Sequence, residues 1–149
     1  MTHIDRRPIL LVEDNGDDQV LTLRALKKQG IGNEIVIKND GVEALEYLES
    51  AAGDKPDEPG ELPALALVDL KMPRVDGHEV LKRIKADPRL RRIPVVMLTS
   101  SREERDITTS YDLGANSYVR KPVDSNRFNE VASYLNTYWL CINEQVAHP

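Results

Sequence analysis

Five short apolar runs constrain this chain more than any other feature, because each is continuous where a half-exposed strand would alternate. They are Ile9–Val12, Ile35–Ile37, Leu65–Val68, Val95–Leu98 and Tyr118–Val119. Runs this short, rich in branched residues and apolar at successive positions, are what parallel strands covered on both faces require. Between them the spacing changes to that of amphipathic helices. Val20, Leu23 and Leu26 form one such set; Val42, Leu45 and Leu48 a second; Val80, Leu81 and Ile84 a third; Ile107 and Tyr111 a fourth. The last set, Phe128, Val131, Leu135, Tyr138 and Ile142, predicts a long helix from Ser125 to about Glu144. Strands alternating with helices imply right-handed crossovers. The predicted fold is α/β, a doubly wound five-stranded parallel sheet with five helices. Gly30 and Gly114 sit where helices should stop. Ser101-Arg102-Glu103-Glu104 reads as a capping box at a helix start.

The 149 residues suit a single domain with a core needing no staples. The repeating pattern occupies about residues 8–135, and residues 136–149 read as a helical extension and tail. One cysteine, Cys141, excludes an intrachain disulfide framework or a cysteine-rich zinc site and suits a reducing compartment. Twenty basic and 25 acidic residues give a net charge of −5, which argues against nucleic acid as the main partner. The first apolar run ends after four residues at Glu13, too short for a signal peptide or a membrane span. The reading is cytoplasmic, with no membrane association. Residues 50–64 break the rhythm with two glycines, three prolines and several acids, and read as an acidic surface loop, inert rather than binding.

Ligands of open α/β sheets gather outside the carboxyl ends of the strands. Glu13 and Asp14 follow the first run, Asp69 the third, Thr99 the fourth, and Lys121 then Pro122 the fifth. Singly, each has an ordinary reading: an Asx turn at Asp14 and Asn15, a turn at Asp69, a strand end at Thr99, a solvated charge at Lys121. Jointly they place three acids, a hydroxyl and a lysine at one end of one sheet. Phosphoryl transfer to a carboxylate needs this set. Crowded carboxylates want a hard cation such as Mg²⁺ among them. One carboxylate attacks as nucleophile, while the lysine and the hydroxyl meet the phosphoryl oxygens.

Four stretches carry a family resemblance: Leu11–Asn15, Leu67–Gly77, Ile93–Thr99 and Tyr118–Pro122. In this order they strongly resemble the receiver domain of two-component response regulators, over about residues 8–135. The resemblance implies a flavodoxin-like sheet of strand order 2-1-3-4-5. It implies Asp69 as phospho-acceptor, Asp14 as a direct Mg²⁺ ligand, Glu13 as a ligand through water, and the Lys71 carbonyl as a further ligand. Mn²⁺ or Ca²⁺ would be able to replace Mg²⁺. Lys121 would pair with the phosphoryl group across a cis peptide to Pro122, and Thr99 with Tyr118 would form a switch pair. Lys71 and Ser101 flank the site and would tune hydrolysis. The implied protein is a self-phosphorylating and self-dephosphorylating switch rather than a turnover enzyme. Its donor would be a sensor histidine kinase and its output a protein contact or phosphorelay. The loop before the third run, Asp87-Pro88, Ser110-Tyr111 and Tyr138-Trp139-Leu140 narrow the likeness to regulators that partner phytochrome-type histidine kinases.

Rival readings are weaker. A haloacid-dehalogenase-like phosphatase needs an acid two residues after its nucleophile, where this chain has Lys71. A phosphorylation-independent receiver-like module would be expected to lack part of the site, and no part is missing. No glycine pattern supports a Walker or Rossmann loop, and His3, His78 and His148 lack ligand spacing. On the last helix, Tyr138, Trp139, Leu140, Ile142 and Val146 exceed what one inward stripe uses. A homodimer through this helix and Tyr111 is the expectation, with folding back onto the domain as the alternative.

Overall fold

The computed structural model describes residues 5–53, 60–121 and 125–144. Five strands, β1 (Ile9–Val12), β2 (Ile35–Lys38), β3 (Leu65–Val68), β4 (Val95–Thr99) and β5 (Ser117–Arg120), form one parallel sheet in the order β2-β1-β3-β4-β5. Helices α1 (Gly16–Lys28), α2 (Gly41–Ala52), α3 (Gly77–Ala86), α4 (Glu104–Asp112) and α5 (Ser125–Tyr134) connect and follow them. This is the α/β fold that the alternating pattern predicts, in the flavodoxin-like strand order that the family resemblance implies. Register runs Ile9 against both Ile35 and Leu65, so β1 is hydrogen-bonded on both sides.

The continuous runs are explained by the two layers. Leu10, Val12, Ala66, Val68, Val95 and Met97 meet Ala44 and Leu48 of α2 and Val80, Leu81 and Ile84 of α3. Ile9, Leu11, Leu65, Leu67 and Val96 meet Ala25 and Leu26 of α1 and Phe128 and Ala132 of α5. Period-2 geometry is intact, but both faces are dry. Each buried Leu or Ile side chain is worth about 1.5–3 kcal/mol. The half-buried β2 and β5 lie at the sheet edges.

Helix stops agree with the glycines. Gly30 (φ 76°) and Gly114 (φ 103°) adopt the left-handed conformation. In each case the next residue's N–H reaches back to close a Schellman motif, Ile31 to Leu26 and Ala115 to Ser110.

Two expectations need correction. The capping box does not form: α4 begins at Glu104 after Glu103, which makes no side-chain cap. Ser101 Oγ instead accepts the Glu103 N–H at 3.3 Å and donates to Asp106 Oδ2 at 2.6 Å. A nearby carboxylate out-competes the distant helix end for the hydroxyl. The final helix is not α-helical throughout, because Leu135–Ile142 winds as a π-helix. Its repeat joins residues five apart, so Leu140 follows Leu135 into the core, 2% and 5% exposed respectively. Trp139 packs partly against the same cluster. Leu140 and Trp139 therefore fold back onto the domain, leaving Tyr138 (48%) and Ile142 (61%) outside. Val146 and the middle of the acidic 50–64 loop fall outside the described residues.

Two loop carboxylates tie the helices together and contribute to the loss of stability in acid. The Glu43 N–H and Arg74 hold the Asp40 carboxyl below its ordinary range, and Arg89 does the same for Asp87. A depressed carboxyl contributes stability above its unfolded value, and that contribution is lost as pH falls towards the folded value. Stability is expected to fall from about pH 4 downwards. Urea unfolding should show a shallower acid limb in Asp87→Asn; an unchanged limb would contradict the assignment.

Candidate functional site

The carboxyl ends of β1, β3, β4 and β5 converge because ladder bonds continue past each strand. The Glu13 N–H reaches Lys38 O, Asp69 N–H reaches Val12 O, and Lys121 N–H reaches Thr99 O, at 3.0, 2.9 and 2.7 Å. The backbone thus fixes Glu13, Asp69 and Lys121 before any side chain chooses a rotamer. Glu13 (2% exposed) and Asp69 (7%) are buried, while Asp14 is exposed.

Glu13, Asp14 and Asp69 each offer a carboxylate oxygen, and these atoms lie within 4.8 Å of one another. Burial pushes the Glu13 carboxyl up to about 7; Lys121 opposes the shift and Asp69 adds to it. The site carries more negative charge than its one lysine offsets comfortably. Hard oxygen donors, one reachable from solvent, suit a divalent cation of the Mg²⁺ type.

Lys121 is the positive pole. Its ammonium contacts Glu13 Oε1, lies 2.8 Å from Asp18 Oδ2, and stands 3.5 Å from Asp69 Oδ2. Burial disfavours its charge, but the bonds to Asp18 and Glu13 overcome that and raise its pKa. Asp18 did not emerge from the sequence, where an acid in the first turn of a helix reads as an ordinary dipole partner.

Thr99 is fully buried, and its Oγ1 accepts the Ser101 N–H at 3.3 Å. Tyr118, half-buried against the α3 and α4 side, donates its hydroxyl to the Ser101 carbonyl at 3.1 Å. Ser101 therefore joins Thr99 and Tyr118 directly. The Lys71 side chain turns outward to Asp106 at 3.7 Å. His78 bonds Ser110 Oγ at 2.9 Å, consistent with a packing role. The Lys121–Pro122 peptide lies outside the described residues.

The sequence matches the response regulator receiver domain over residues 9–133. The chain belongs to the response regulator receiver domain family. This receiver is 41% identical over 132 residues to the probable methanogenesis regulatory protein FilR2 of Methanothrix harundinacea, covering 89% of the chain and 83% of FilR2. It is 39% identical to response regulator Rcp1 of Synechocystis, covering 89% and 88%. The Mn²⁺-bound structure of Rcp1 superposes with a TM-score of 0.81 at 38% identity, covering 95% of the receiver and 99% of that chain. The phosphorylated cyanobacterial phytochrome response regulator RcpA gives 0.79 at 39% identity, covering 91% and 94%. The bacteriophytochrome response regulator AtBRR gives 0.71 at 52% identity, covering 94% and 99%.

The receiver is thus a signalling switch of the two-component type that resembles phytochrome response regulators. Members take their phosphoryl group from sensor histidine kinases and bind a divalent cation in an acidic site. Among the described residues no helix is long and apolar enough to cross a membrane.

The residues expected at a dimer face lie elsewhere. Tyr111 (50%), Tyr138 and Ile142 are exposed on α4 and the π-helical segment. Tyr138 and Trp139 stack edge-on with ring centroids 5.0 Å apart. An apolar cavity of about 250 Å³ opens beside them, lined in part by Val119, Val131, Leu135, Tyr138 and Trp139.

Proposed function

We propose that Asp69 accepts a phosphoryl group from the phosphohistidine of a phytochrome-type sensor kinase. One observation carries this reading: of the two buried carboxylates in the three-acid cluster, Glu13 is bound by the Lys121 ammonium and the Asn15 N–H, while Asp69 stands 3.5 Å from that ammonium at the end of β3. An Asp69 oxygen attacks phosphorus, the phosphorus–nitrogen bond breaks, and the imidazole leaves with the electron pair. Glu13, Asp14, Asp69 and the Lys71 carbonyl would hold the cation. Mg²⁺, or Mn²⁺ or Ca²⁺ in its place, neutralises charge on the phosphoryl oxygens when bound. Lys121 supplies a second fixed charge. Thr99 accepts one hydrogen bond through Oγ1, which leaves its O–H to donate to a phosphoryl oxygen. A shift of Thr99 pulls on Ser101, and Ser101 holds the Tyr118 hydroxyl. The chemistry at β3 is thereby tied to the surface of α4 and β5.

The kinase assignment rests on the likeness to RcpA and AtBRR. Its test is phosphotransfer from a panel of purified histidine kinases, followed by intact mass. A phytochrome-type kinase should label the receiver in seconds to minutes and the others far more slowly. Equal labelling by an unrelated kinase would remove the phytochrome link.

The receiver also dimerises in this reading, through Tyr111, Tyr138, Ile142 and the half-buried Trp139. Sedimentation should show a dimer at micromolar concentration. Ile142→Glu, at a position 61% exposed, should give a folded monomer that still takes up phosphate. A wild type that stays monomeric at high concentration, phosphorylated or not, would defeat the idea.

A further inference from the structure

Asp18 occupies the third position of α1, where an acid usually reaches back to the N–H of the capping residue. Half of that box is present: Asn15 Oδ1 accepts the Asp18 N–H at 3.0 Å. The other half is not, because the Asn15 N–H goes to Glu13 Oε2 at 3.3 Å. The Asp18 carboxylate turns to the Lys121 ammonium instead, at 2.8 Å.

We propose that Asp18 is a positioning residue that competes with the phosphoryl oxygens for Lys121 and thereby restrains phosphoryl capture. The proposal rests on Asp69 as the phospho-acceptor. A lysine ammonium has three donors. Here two carboxylates, Glu13 and Asp18, sit closer to it than Asp69, which stands at 3.5 Å. Two donors are engaged by Glu13 and Asp18, so a phosphoryl group arriving at Asp69 takes the third and must draw the ammonium toward itself against both. The Glu13 side chain is 2% exposed and is also bonded to the Asn15 backbone, so it is fixed. The Asp18 side chain keeps 29% of its surface and is the one able to yield. Its charge also faces the approaching donor, itself an anion, and repels it.

The test measures labelling by acetyl phosphate at saturating Mg²⁺, so that changes in cation affinity drop out. Intact mass gives the rate and peptide mapping the position. Asp18→Asn should raise the rate per unit of donor by roughly three- to fivefold, the scale of one partly exposed charge contact. Asp17→Asn removes the same charge one residue away, on an exposed side chain, and should change the rate by less than about 1.5-fold. A structural ion pair would behave oppositely, since its loss slows labelling and lowers the melting temperature. An unchanged or slower Asp18→Asn, or an equal rise in Asp17→Asn, overturns the proposal while leaving Asp69 in place. A wild type labelled elsewhere than Asp69, or not at all, overturns the reading of the site and this proposal with it.

Discussion

With acetyl phosphate and Mg²⁺, the wild-type receiver should gain one phosphoryl mass and Asp69→Asn none. The expectation follows from position. Asp69 lies one residue past β3, its N–H pinned to Val12 O, and its carboxylate belongs to the acidic cluster and stands 3.5 Å from Lys121. An amide of the same shape lacks the nucleophilic oxygen but keeps the packing. The variant should therefore melt no lower than wild type, since it removes one of the two buried carboxylates of a crowded acidic cluster. Asp14→Ala should keep the nucleophile yet lose labelling by on the order of a hundredfold, the scale of removing one electrostatic contact to a transition state. Wild-type rates of labelling in Asp69→Asn would sink the assignment.

Gly77→Ala should destabilise the protein by about 2–4 kcal/mol, a drop in melting temperature of roughly 5–15 °C for a domain of this size. A Cβ at Gly77 would stand 2.3 Å from the Asp69 carbonyl oxygen and 2.8 Å from Leu70 Cα. Both are backbone atoms, so no flexible side chain can swing aside. The Gly77 N–H also donates to Leu70 O at 2.9 Å, which holds the start of α3 against the end of β3. Relief must come from moving the Asp69 peptide, so labelling should slow together with the loss of stability. Gly32→Ala is the control: a Cβ there meets nothing within 4 Å, and its effect should stay within about 0.5 kcal/mol. Urea unfolding of the two variants side by side decides the matter; equal stabilities would refute the steric argument.

Much of this was legible in the chain. Leu65–Val68 announces a central strand because both faces of β3 are covered, and no solvent-facing position interrupts the apolar run. The site residues were legible for a related reason, since sheet geometry sends whatever follows each strand to the same edge. Local patterns failed where a competitor lay out of sight. The Ser101-to-Glu104 spacing suggests a cap, but Asp106 takes the hydroxyl. A helical wheel drawn at 3.6 residues per turn places Leu140 outside, and the π-helical segment brings it in. Asp18 was invisible for the opposite reason. It looks like any first-turn acid, and only the fold shows that Lys121, 103 positions later, is its partner.

The acidic cluster is a spot of deliberate local frustration, where the chain folds against its own charges. An apolar edge would be easier to build, and it would be indifferent to the ionic composition of its surroundings. With Glu13, Asp14 and Asp69 gathered within 4.8 Å, the folding equilibrium itself becomes a gauge of divalent cation activity. By mass action, a cation held tenfold above its dissociation constant deepens the native state by about 1.4 kcal/mol. The unfolding curve of this domain is therefore a property of the solution as much as of the sequence, and it shifts with every change in free Mg²⁺.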